Sequence, residues 1–263
     1  MIYPKQLFLL LLLQLIVTNL SIVHAQELVT HQTACPVNMQ LVDGMFCPNV
    51  RQTCAQWSRN DPAGQQMRCL RFSESTCLSR HRVHMRFCMD TYEYPNIEGQ
   101  RPRNMISWYQ ARSLCQSQGK RLCDSTEWTF ACEGPEVRPY PYGNGMVRDS
   151  SVCRIDHQNI RYNAHRLANP LTALQEARRS NESVPSGSMN QCVSWCGIYD
   201  IVGNSDEWVV NVHSANMDHA PYRSGLRGGW WGGVRNRCRA MTTVHSPSFS
   251  YYQISTRCCS DAR

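Results

Sequence analysis

Read for the alternation of apolar and polar positions, the chain falls into three unequal stretches. Residues 1–25 carry one short apolar run, Leu7 to Val17, behind a lone positive charge at Lys5. Gln14, Thr18, Asn19 and Ser21 cut that run short of the ~20 apolar residues a membrane span needs. Small residues at Val23 and Ala25 then complete the pattern of a cleaved export signal, with the mature chain beginning at Gln26. Residues 26–86 show no sustained period of 2 or 3.6, and read as a cysteine-rich lead-in that disulfides must hold. A main domain is expected over residues 87–263, opening on a strand over Met89–Asn96 that turns at Pro95.

Helical spacing is clear in two places. Ser107 and Gln110 form a capping box, Trp108, Ala111 and Cys115 share one face, and Gly119 ends the helix. A second helix starts at Asp124 with Glu127 three residues on, turns Trp128, Ala131 and Cys132 inward, and stops at Gly134. A surface helix is expected over Asn169–Arg179, with Asn169 as cap and Pro170 at the first helical position. Asn181-Glu182-Ser183 is a glycosylation sequon. Between Gly197 and Trp231, small, acidic and tryptophan positions alternate at spacings that suit neither a plain helix nor a plain strand.

Composition sharpens this picture at one point, the 15 cysteines. That density is the usage of exported chains stapled by disulfides, and an odd number leaves at least one thiol unpaired within the chain. The expected location is therefore secreted or periplasmic, with no transmembrane segment in the mature chain. Charge adds little. The formal net charge is +7, of which Lys5 in the leader supplies one. Nearly all of it is arginine scattered along the chain, and the densest cluster, Val234 to Arg239, is too short to make a nucleic-acid surface. His81 and His84 form an H-x-x-H that reads as two ordinary surface histidines. No internal repeat or low-complexity tract is present.

Candidate chemistry concentrates at Asp200, Gly203, Ser205 and Glu207. The two carboxylates, with two backbone carbonyls, offer oxygen ligands around one glycine turn, the set a structural calcium ion takes. The competing reading is a turn in which Asp200 and Asn204 bond local backbone amides.

Four ordered motifs carry a resemblance that spans about residues 84 to 260. They are Ile106–Trp128, Pro139–Gly145, GIYDIVGNSDEW (Gly197–Trp208) and GLRGGWW (Gly225–Trp231). Together they resemble the formylglycine-generating enzymes, also called sulfatase-modifying factors. The resemblance implies an α+β domain of irregular, C-type-lectin-like kind, stapled by disulfides. It further implies the pairs Cys115–Cys258 and Cys132–Cys238, each closing more than a hundred residues and contributing roughly 4 to 5 kcal/mol on the chain-entropy model. Cys123 and Cys259 have no counterpart in the pattern; they flank the first pair and are left to bond each other.

One departure matters for function. In the family, two cysteines between the R-G-G-S-W motif and the structural Arg-Cys bind copper(I). Here that interval is Gly232–Arg237, without a cysteine, and Trp230 replaces the serine. Copper(I) needs soft thiolate ligands, so copper is not expected. The related sulfoxide synthases hold iron on a separate helical domain, for which the lead-in is too short. Two functional classes follow. One is an exported, non-catalytic binding or accessory module with a protein or glycan ligand. The other is an oxidoreductase of the same family using another constellation, drawn from Cys123, Cys153 or Cys259.

Overall fold

The computed structural model describes residues 34–61, 68–233 and 235–263; the export signal expected over residues 1–25 lies outside them. Among the described residues, ten strands and four helices form two four-stranded sheets and a hairpin ribbon, with a large share of irregular chain. The first sheet has the order β1-β4-β10-β5, from β1 (Met39–Phe46), β4 (Val83–Asp90), β10 (Cys258–Asp261) and β5 (Arg121–Leu122). The second has the order β8-β7-β6-β9, from β8 (Met241–Thr242), β7 (Ser224–Arg227), β6 (Asp206–Val210) and β9 (Ile254–Thr256). The ribbon pairs β2 (Val50–Trp57) with β3 (Cys69–Cys77).

The lead-in expected over residues 26–86 is not a separate irregular segment in its described part. β1 pairs antiparallel with β4 from Met39 opposite Asp90 to Phe46 opposite Val83, so both lie in the sheet that holds the C-terminal strand. Their burial does not follow a period of 2: in β1 only Met39, Val42 and Phe46 are buried, while Leu41 and Met45 face solvent. Three disulfides, Cys35–Cys88, Cys47–Cys77 and Cys54–Cys69, hold strands that cover too little apolar surface themselves. The strand expected over Met89–Asn96 is the end of β4; the chain leaves it at Asp90 and turns through a cis Tyr94–Pro95 bond.

The two main helices form where the spacing places them. α1 (Trp108–Ser117) starts at a complete capping box: the Ser107 amide donates to Gln110 Oε1 at 2.8 Å, and the Gln110 amide to Ser107 Oγ at 3.3 Å. It buries Trp108, Ala111 and Cys115 and ends before Gly119, whose φ of +68° is the left-handed stop. α2 (Ser125–Glu133) follows Asp124, whose amide donates to Glu127 Oε2 at 2.9 Å. The expected surface helix is shorter than the 169–179 pattern and preceded by another. α3 (Ala164–Ala168) is capped by Asn163, and α4 (Ala173–Arg179) begins three residues after Pro170. Asn169 accepts the Leu171 amide instead, so Asn-Pro makes a turn that delays the helix.

β10 lies between two cores because its neighbouring side chains point to opposite faces. Cys258 faces one core with Trp108, Trp208 and Ile254, and bonds Cys115 of α1. Cys259 faces the other with Trp128, Phe130 and Ile201, and bonds Cys123. Cys132 of α2 bonds Cys238, and Cys153 bonds Cys192. Two tryptophan indoles tie α1 to β6 across the smaller core: Trp108 Nε1 donates to the Val209 carbonyl at 3.0 Å, and Trp208 Nε1 to the Ile106 carbonyl at 2.9 Å.

The remaining cysteine is Cys196, the one free thiol among the fifteen. Burial pushes it up to about 11, so little thiolate exists at neutral pH. Trypsin digestion without reduction will release residues 113–120, 122–148, 238–239 and 258–263 as one cluster of four peptides joined by three bonds. Mass spectrometry checks this, and recovery of 238–239 outside the cluster contradicts it. Thiol titration will find one thiol per unfolded chain, reacting slowly in the native state.

Candidate functional site

The loop from Gly197 to Trp208 is a backbone of left-handed positions over a charged core. Asp200, Gly203 and Asn204 have φ of 54°, 80° and 55°. A Cβ at Gly203 would lie 2.4 Å from the Arg154 carbonyl oxygen, and one at Gly228 would lie 2.8 Å from that of Ile201. The two glycines let the loop and the R-G-G turn approach until the Gly203 amide donates to the Gly228 carbonyl at 3.0 Å. The polar side chains reach distant segments rather than local amides. Asp200 Oδ2 accepts the Gly187 amide at 2.7 Å. Asn204 accepts the Val184 amide at 2.8 Å and donates to Glu93 Oε1 at 2.9 Å. The local-turn alternative is thereby replaced by long-range bonds.

Beneath the loop, Glu93, Asp200 and Glu207 are buried around one fully buried cation, Arg257. Arg257 holds both Glu207 oxygens, with contacts of 2.7 to 2.9 Å, and Trp128 Nε1 donates to Glu207 Oε2 at 2.7 Å. The other guanidinium hydrogens reach the Asp90 carbonyl at 3.2 Å and the Tyr199 carbonyl at 3.0 Å. Burial opposes the charge on Arg257, but Glu207 outweighs it and holds the guanidinium ionised. Burial pushes Asp200 up to about 6, and pushes Glu93 well above the carboxylate range with help from Asp200.

The four residues proposed for calcium are thus brought together but are not equivalent. Asp200 Oδ1 is buried without a hydrogen-bond partner, which suits a cation ligand. Ser205 donates its hydroxyl to Asn104 Oδ1 at 2.9 Å, leaving its carbonyl as the possible ligand. Glu207 has both oxygens on Arg257, so it contributes negative charge rather than a free oxygen. Among the described residues no group of three or more His, Cys, Asp or Glu side chains is placed to hold a metal, so an ion here rests on carbonyl oxygens as well. Of the four, Asp200 alone presents a side-chain oxygen without a hydrogen-bond partner, within an excess of buried carboxylate.

The interval where the copper cysteines would stand is occupied by other side chains. A Cβ at Gly232 would meet the Trp230 indole at 2.5 to 2.7 Å. A Cβ at Gly233 would lie 3.0 Å from Asp156 Oδ1 and 3.1 Å from Arg68 Nη1. Asp156 is fixed there: Arg148 donates to both its oxygens at 2.8 and 3.0 Å, and Arg68 to one at 3.2 Å. Arg148 also reaches Asn236 Oδ1 at 2.8 Å, and buried Asn236 donates to the Trp230 carbonyl at 2.7 Å. Sequence reasoning missed the link between Arg148, Asp156 and Asn236, because the first two belong to no motif and lie more than seventy-five residues before the third. The cysteines offered for another oxidoreductase site are also unavailable: Cys123 and Cys259 bond each other, and Cys153 bonds Cys192.

The model of the sulfatase-modifying factor enzyme 1-like domain matches residues 49–262. A Bos taurus protein, inactive C-alpha-formylglycine-generating enzyme 2, is 29% identical over 164 residues, covering 60% of this chain and 49% of its own length. The chain therefore spans about half of that relative. Among solved structures, that of CarF superposes with a TM-score of 0.55 at 14% identity, over 86% of this chain and 98% of its own. PvdO from Pseudomonas aeruginosa gives 0.49 at 14% identity, over 85% and 94%. The CarF likeness concerns the fold.

Arg257→Met will leave Glu207 buried and uncompensated, at a cost of about 3 to 5 kcal/mol. Thermal unfolding should show a fall of roughly 6 to 20 °C on the usual scaling for a chain of this size. A loss below about 1 kcal/mol would mean that water reaches the pair.

Proposed function

The chain belongs to the sulfatase-modifying factor family, and on that premise we propose that it is an exported, non-catalytic binding or accessory module with a protein or glycan ligand. One observation carries this reading. The interval Gly232–Arg237 holds no cysteine, and a Cβ at its two glycines would meet the Trp230 indole and the Asp156 ion pairs with Arg148 and Arg68. The name of the Bos taurus relative describes that protein as inactive, which supports carrying the loss of chemistry to this chain.

The missing thiolates decide the chemistry. When bound in the family, copper(I) supplies oxygen activation, and its ligands must be reachable by an extended peptide. Cys238 is the first cysteine after the R-G-G motif, and its sulfur is committed to Cys132. Loss of both ligands therefore abolishes the reaction rather than slowing it. Export is supported by seven disulfides, which persist in oxidising compartments, together with the leader pattern over residues 1–25. Among the described residues no helix is long and apolar enough to cross a membrane.

A structural calcium ion completes the proposal. Asp200 with the carbonyls of Gly203 and Ser205 would hold it, and Glu207 would add charge without leaving Arg257. The ion would offset the excess of carboxylate over guanidinium below the loop.

Incubation with a sulfatase-motif peptide, copper and reductant should leave the peptide cysteine intact by mass spectrometry. Aldehyde formation would overturn the non-catalytic reading. For calcium, a hundredfold excess over Kd should stabilise the fold by about 2.7 kcal/mol. Chelation should remove that gain in the wild type but not in Asp200→Asn. An unchanged melting temperature, with no calcium in the purified protein, would dismiss the ion.

A further inference from the structure

On another face, α1 and the loop that follows β6 enclose a cleft of about 580 Å³. That volume lies within the roughly 300–1,000 Å³ of small-ligand sites. Trp108, Leu122 and Val210 line its apolar part, and Arg112, Arg121 and Arg223 converge on it with one carboxylate, Asp124. These residues come from two stretches about a hundred positions apart, 108–124 and 210–223. None belongs to the charged core below the Gly197–Trp208 loop.

The three arginines differ in what they already hold. Arg121 is committed, with Glu127 at 2.7 Å through both oxygens and Asp261 at 2.9 Å. Arg112 lies 6.0 Å from the Trp108 ring centroid, and no carboxylate pairs with it among the described residues. Arg223 is fixed by its backbone, whose amide donates to the Asn216 carbonyl and whose carbonyl accepts the Asn211 amide. Its guanidinium likewise has no ion-pair partner among the described residues. Once Arg121 is matched by Glu127, two unmatched guanidinium groups face one carboxylate beside an apolar floor.

We propose that this cleft binds an organic anion of saccharide size, its sulfate or carboxylate group held between Arg112 and Arg223. Guanidinium groups recognise such oxyanions through paired charge-assisted hydrogen bonds. The apolar part would take the ligand's carbon face, and Arg121 would position the rim through Glu127 rather than bind. This deepens the reading of the chain as a binding module and rests on it, by naming a ligand class and a place.

Titration calorimetry at low ionic strength tests the cleft with three probes: N-acetylglucosamine 6-sulfate, inorganic sulfate and neutral N-acetylglucosamine. The sulfated sugar should bind and the neutral sugar should not. Arg112→Gln and Arg223→Gln should each weaken binding about tenfold or more. Their melting temperatures should not move, since both side chains are exposed and lose no ion pair. Arg178→Gln, on exposed α4, serves as the control and should leave affinity unchanged. Tighter binding of the sugar than of inorganic sulfate would identify an ester ligand; equal affinity would identify the free anion at the same site. Binding that survives the double Arg112→Gln/Arg223→Gln change, falls equally with Arg178→Gln, or extends to the neutral sugar would overturn the proposal. So would failure of every probe to bind, and that outcome leaves the non-catalytic reading intact. Aldehyde formation on a sulfatase peptide would reject the non-catalytic reading without touching the cleft.

Discussion

The fold depends on Arg257 holding Glu207 out of water. An isolated buried pair of this kind contributes little net stability, because desolvation offsets most of the attraction. Its value lies in where the hydrogen bonds go. One guanidinium joins β6 through Glu207, the end of β4 through Asp90, and the central loop through Tyr199. Trp128 adds α2 through the same Glu207 carboxylate. Elements that are short, and that carry few ladder bonds of their own, thus share one polar centre with little tolerance for displacement. Such a centre specifies an arrangement more than it strengthens it, since any shift strands a charge in the interior.

Covalent staples complete what that centre cannot. Cys258 and Cys259 follow Arg257 directly, so the link between β9 and β10 and the start of β10 carry the guanidinium and two disulfides in three consecutive residues. The alternation of strand side chains sends these bonds to opposite cores, one to α1 and one beside β5. The loops they close exceed 130 residues, a length at which the chain-entropy contribution is about 5 kcal/mol each. A domain with β5 and β8 only two residues long therefore does not depend on long strand pairing there.

Much of this was legible in the sequence where one local rule decides one local structure. The capping box at Ser107 and the stop at Gly119 placed α1, and Gly203 and Gly228 of the two central motifs stand where a Cβ would strike backbone. What stayed hidden is long-range. The alternation of β1 is broken because Leu41 and Met45 face solvent, so only pairing with β4 and the disulfides reveal a strand. Asn169-Pro170 reads as a helix start, yet its side-chain bond to Leu171 makes a turn. Arg148 and Asp156 carry no motif, and meet Asn236 only after folding. The Arg112–Arg223 cleft is hidden for the same reason: scattered arginines look like solvated surface until the fold gathers them.

The way this interval is filled shows how the fold accommodates the absence of a cysteine pair there. A metal pair removed by itself would leave a polar cavity with unmatched groups, which is costly unless water or side chains satisfy them. Here the indole of Trp230 covers Gly232, and Asp156 brings a carboxylate that two arginines neutralise. Asn236 then spends its amide on Trp230 and its carbonyl oxygen on Arg148, so the turn and the ion pairs are joined by one residue. A side chain at Gly232 would have to displace the Trp230 indole, and one at Gly233 would crowd Asp156, which Arg148 and Arg68 hold in place. Side chains fill the interval and bond to one another, so the surrounding scaffold keeps its arrangement.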